Sequence, residues 1–133
     1  MVSAAGVVLL QIAYAVTLGV GFRSLPSPDE PIGDPMFSIL EMLILAMMPL
    51  VVTLMTAVHL WAPLRGKAYT LAALVFTAML ATLTCGVHFA VLTLRRDPEF
   101  ASMRWLLTFE WPSVVYALDI LAWDFLFPLA MVF

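Results

Sequence analysis

The chain has 133 residues and a net charge of −3, with 64% of residues hydrophobic and 11% charged, and its mean hydropathy is +1.06. A soluble domain is closer to about 45–50% apolar and about 25% charged, so this composition excludes an ordinary water-soluble fold. It predicts an all-α, polytopic membrane protein: one domain, a bundle of four transmembrane helices in a lipid bilayer. No basic patch points to nucleic acid, and the single cysteine, Cys85, excludes an intrachain disulfide.

The first span is Ala4–Phe22. Its start lacks the positive charge of a signal peptide and its apolar core is too long for one, which predicts a retained span. After Arg23 the stretch RSLPSPDEPIGDP holds four prolines and three acids, a solvated loop. Span two is Met36–Trp61, with Trp61 as interface anchor and Pro49 as a kink near its middle. Ala62–Lys67 makes a tight turn into span three, Ala68–Leu94. There Ala78, Thr82, Gly86 and Ala90 recur every four residues, a stripe that lets helix backbones pack closely. Beyond Arg95-Arg96-Asp97-Pro98, the apolar residues Phe100, Met103, Leu107 and Trp111 keep helical spacing. This predicts a short interfacial helix over Glu99–Trp111, where Arg104 and Glu110 need no special role. Pro112 opens span four, Pro112–Phe133. The run stops without a polar flank, which predicts a C-terminus tucked into a partner or a longer chain. The first and third loops hold Arg23, Arg95, Arg96 and Arg104, against Arg65 and Lys67 in the second. The positive-inside rule thus places the first and third loops in the cytoplasm and both termini outside.

Asp119 and Asp124 are the most informative residues. A charged side chain at the centre of a span costs roughly 2.5–3.5 kcal/mol on insertion scales, so both need a protein-lined, paired or watered setting. Residue counting from the first-and-third-loop side gives depths of about 7 Å for Glu41, 9 Å for His88 and 10 Å for Asp119. Three helices therefore deliver these groups to one level. By the same rise Tyr14 lies about 12 Å in, Gln11 about 16 Å and Asp124 about 18 Å. Cys85 is one turn deeper than His88 on the same face. The expected ligand or proton site is Glu41, His88, Asp119 and Asp124, with Gln11, Tyr14, Cys85, Tyr116 and Trp123 lining the cavity. Asp119 and Asp124 are about 140° apart around an ideal helix. One face carries Tyr116, Asp119 and Trp123 and the other carries Asp124, so a second protein neighbour is expected, a homo-oligomer or a partner membrane subunit.

No cofactor or metal is expected. His59 and His88 lie roughly 25 Å apart in depth, too far to ligate one haem iron. No His-Glu-x-x-His or Glu-x-x-His motif, nucleophile elbow or phosphate loop is present. Phe109–Phe125, FEWPSVVYALDILAWDF, together with the preceding CGVHFAVLTLRR, resembles bacterial multi-span membrane proteins that carry no assigned activity. The resemblance covers about the last third of the chain and implies a multi-pass protein of the bacterial inner (plasma) membrane. The four-span plan is also similar in architecture to small multidrug transporters and sterol-isomerase-like four-helix proteins. Their motifs are missing, since span one has no acid and Leu92, not glutamate, stands four residues after His88. Three functions remain open: binding or proton-linked transport of a small molecule, an accessory subunit of a larger membrane complex, and an intramembrane enzyme using a His/carboxylate acid–base pair.

Overall fold

A computed structural model of the chain describes residues 2–27 and 30–133; Met1, Pro28 and Asp29, the last two in the first loop, lie outside the described residues. Four helices dominate: α1 (Val2–Arg23), α2 (Met36–Trp61), α3 (Lys67–Leu94) and α4 (Val114–Val132). Each is long and apolar enough to cross a membrane. Among the described residues there is no strand. Two 3-10 segments, Leu64–Gly66 and Pro98–Leu107, complete the connections.

The central helix is α3. Its buried residues Ala73, Thr77, Leu80, Thr84, Val87 and Val91 recur every three or four positions, the period that keeps one face on its neighbours. On one side it meets α2, which buries Leu40, Ile44, Met47 and Met48. On the other side it meets α4, where Leu80 packs with Ala122 and Leu126, and Val87 and Val91 with Val115. The first helix packs along α2 alone: among the described residues no Cα of α1 comes within 8 Å of one in α3 or α4. The bundle is therefore an open row, with a cleft between α1 and α4. Gly6 lies in the seam between α1 and α2, where an added Cβ would stand 2.9 Å from Leu50 Cδ1 and the leucine side chain would have to shift.

Local chemistry explains the ends. Lys67 Nζ donates to the carbonyls of His59 at 2.5 Å and Leu60 at 3.1 Å, satisfying acceptors that the end of α2 leaves open. Pro49 lies inside α2 without ending it. The Ser113 side chain accepts from the Tyr116 N–H, a standard start for α4. Over Leu121–Leu126 α4 widens to a π-helix, and the Phe127 N–H reaches the Ala122 carbonyl. Pro128 follows at once. It lacks an N–H, and its ring would clash with the Asp124 carbonyl in a tight α-turn, so widening there relieves the clash.

Two expectations need correction. Ala78, Thr82 and Gly86 are exposed on the outside of α3, and a Cβ on Gly86 would meet nothing within 4 Å. That stripe packs no helix of this chain, because the larger residues of α3 take the inward positions. The segment before α4 is a 3-10 helix only as far as Leu107. Thr108 is extended, and Leu107 and Phe109 fold inward against Val87, Val91 and Val115.

Candidate ligand-binding site

Glu41 of α2 and His88 of α3 face each other in the core. His88 Nδ1 lies 2.8 Å from Glu41 Oε2, and the two side chains are only 7% and 5% exposed. The ring N–H donates to the carboxylate, which sets the tautomer. His88 Nε2 is then left 3.7 Å from Asp119 Oδ1 of α4, an ion-pair distance too long for a hydrogen bond. Phe109 stacks on the imidazole, with ring centres 5.2 Å apart. Asp119 Oδ1 is shut off from water and has no hydrogen-bond partner.

These groups line a cavity of about 750 Å³ in the cleft between α1 and α4. Volumes of roughly 300–1,000 Å³ are typical of small-molecule sites. One wall carries Gln11 and Tyr14 from α1, and the opposite wall Tyr116, Asp119 and Trp123 from α4. Glu41, Met47 and His88 form the floor between them, and Arg95, Thr108 and Glu110 lie towards the loops. The polar groups are few and the surround is aromatic and aliphatic. Such a site can hold an apolar body while fixing one polar head.

Among the residues expected from sequence, the structure brings together Glu41, His88, Asp119, Gln11, Tyr14, Tyr116 and Trp123. Cys85 and Asp124 do not join them. Cys85 packs instead into the apolar cluster of Met47, Met48 and Ala81, because the position one turn from His88 turns into the α2–α3 seam. Asp124 is exposed, on a face of α4 turned away from Asp119, as the angle of about 140° between them on an ideal helix leads one to expect. Residues without an expected role also appear: Phe109 covers His88, and Glu110 lines the cavity. No spacing signal marks them, since the linker before α4 has to fold back first. Among the described residues no group of three or more His, Cys, Asp or Glu side chains is arranged to hold a metal ion. His59 stands apart, bonded to Thr70 Oγ1 at 2.9 Å.

Outside this cavity, Asp34 in the first loop accepts from the Ser38 hydroxyl at 2.5 Å and lies 2.6 Å from Arg96 Nη2. The Ser38 hydrogen bond, and after it the Arg96 guanidinium, hold the Asp34 carboxyl below the usual aspartate range. No protein-family model, curated protein or solved structure matches this chain.

Proposed function

We propose that the protein is a multi-pass membrane protein whose cleft binds a small molecule with an apolar body and a hydrogen-bond-donating head, in a proton-linked binding or transport cycle. The observation that carries this reading is the Asp119 carboxylate. Its side chain is 25% exposed on a cavity wall, while its Oδ1 is buried towards His88 without a hydrogen bond. An unsatisfied buried acceptor costs about 1–3 kcal/mol, and more when charged. A ligand N–H or O–H that meets the exposed part of the carboxylate, and lets it turn, would remove that cost. His88 Nε2, at 3.7 Å, offers a neighbouring site where a proton can be held or released as the ligand arrives.

Four long apolar helices support the membrane setting. So do the exposed apolar side chains along them, among them Val8, Leu9, Ile12 and Val16 of α1 and Leu71, Val75 and Met79 of α3, which water would disfavour. Trp61, Trp105 and Trp111 are exposed near the helix ends, as interface aromatics are. With α1 and α4 apart, the cleft opens sideways towards the acyl chains, which suits a lipophilic ligand. Cysteines introduced by Ser27→Cys and Arg96→Cys are expected to react with an impermeant thiol reagent from one side, and Arg65→Cys from the other. Labelling of positions 27 and 96 from opposite sides would refute the topology.

The binding reading is tested by thermal shift of the detergent-solubilised protein against a panel of lipophilic amines, alcohols and amides. Compounds that raise the melting temperature of the parent protein are expected to have no effect on Asp119→Leu, and to act on Asp124→Asn as on the parent. A panel whose hits all survive Asp119→Leu would place the ligand elsewhere.

A further inference from the structure

A second recess, of about 380 Å³, lies between the first loop, the end of α3 and the 3-10 helix Pro98–Leu107. Its polar wall carries Arg95, Arg96 and Arg104, with the Ser38 hydroxyl and Gly33 beside them, and among the described residues Asp34 is the one acid lining it. Three positive charges against one negative leave a surplus of two. Among the described residues only Arg96 of these three has an ion pair, to Asp34 at 2.6 Å, and it also donates to the Ser38 hydroxyl. The Arg95 guanidinium lies over the Phe37 ring, 4.7 Å from its centre, a contact that holds it without neutralising it. Arg104 is exposed on the 3-10 helix, on the rim of the recess. The inner wall, by contrast, is apolar: Ile32, Phe37, Val91 and Leu92.

We propose that this recess binds a phosphate group: three guanidinium groups from two elements converge on it, and a guanidinium presents paired N–H donors that match phosphate oxygens. The combination of a cationic rim and an apolar inner wall fits best the phosphodiester of an anionic phospholipid, the glycerol backbone resting on the half-exposed Ile32 and Leu92. Basic recesses at the ends of membrane helices hold lipid head groups in this way. The lipid as source rests on the membrane reading above, whereas recognition of phosphate does not. Asp34 competes with the ligand for Arg96, so the internal ion pair keeps one arginine oriented and is displaced in part when phosphate arrives.

The test uses the full chain in a neutral detergent, with melting temperature and native mass spectrometry as readouts. Probes are dioleoylphosphatidylglycerol, dioleoylphosphatidylcholine, glycerol 3-phosphate and inorganic phosphate. Phosphatidylglycerol is expected to remain bound and to stabilise the protein, phosphatidylcholine much less. Each arginine is expected to contribute about fivefold in apparent affinity, so Arg104→Gln weakens binding about fivefold and Arg95→Gln/Arg104→Gln about 25-fold. Asp34→Asn, which frees Arg96, is expected to tighten it. Arginine-dependent stabilisation by glycerol 3-phosphate or inorganic phosphate alone would support the phosphate site and assign it to a soluble ligand. An equal response of the parent and the Arg95→Gln/Arg104→Gln variant to every probe would overturn the proposal. Arg104 lines this recess and not the cleft, so the response of Arg104→Gln is separable from the fate of the cleft ligand.

Discussion

Replacement of His88 by leucine is expected to lower the stability of the protein by about 3–5 kcal/mol, the cost of leaving a buried charge without its partner. Glu41 would be that charge. Its side chain is 5% exposed, and His88 Nδ1 is its hydrogen-bond donor. Glu41→Leu alone is expected to be costly as well, because the imidazole then loses its acceptor. The informative variant is the double one. Two leucines of similar volume meeting across α2 and α3 remove both desolvation costs at once, so Glu41→Leu/His88→Leu is expected to recover most of the loss and to end near the parent. Equilibrium unfolding in detergent gives all four corners of the cycle. Additive losses would mean that the two side chains do not stabilise each other. The double variant also separates structure from function: it is expected to fold and to fail in the ligand assay, because Asp119 has lost its proton-exchanging neighbour.

The second large effect is expected at Asp124. It lies exposed on the outer face of α4, within the π-turn, and a charge at such depth is costly against lipid, roughly 2.5–3.5 kcal/mol on insertion scales. We expect that face to meet a polar partner surface, a second copy of the chain or another membrane subunit. Asp124→Asn keeps hydrogen-bonding capacity and is expected to preserve particle size in detergent. Asp124→Leu is expected to shift it to the monomer. Size-exclusion chromatography with light scattering reads both. A particle unchanged in size by Asp124→Leu, together with a higher melting temperature, would show instead that the face looks into lipid and that the acid is merely tolerated there.

The number of helices, their approximate limits and their apolar character could be read directly from the chain, because they depend on local quantities. Runs of Val, Leu, Ala and Met long enough to cross a bilayer, broken by proline-rich or arginine-bearing stretches, decide them within about twenty neighbouring residues. The common level of Glu41, His88 and Asp119 was legible for a related reason: helical rise is constant, so depth follows from counting. Rotation about each helix is less secure. Counting at the ideal α-helical angle put Cys85 on the cavity face with His88, and tertiary packing turned it into the Met47–Met48 cluster. For Asp124 the ideal angle does lead to the right face, away from Asp119, although the helix widens to a π-turn there.

What only the tertiary structure decided is how the helices are arranged side by side. Nothing local says that α1 packs on α2 alone, or that the resulting gap towards α4 becomes a cavity. The inward fold of Phe109 onto His88, the place of Glu110 in that cavity and the gathering of Arg95, Arg96 and Arg104 around a second recess depend on contacts between segments distant in sequence. Local sequence determined which residues are polar and how far along each helix they lie; the packing of α1, α2, α3 and α4 determined which of them meet. The physical reason is that burial fixes a helix by its face, and a face has no partner until the other helices are in place.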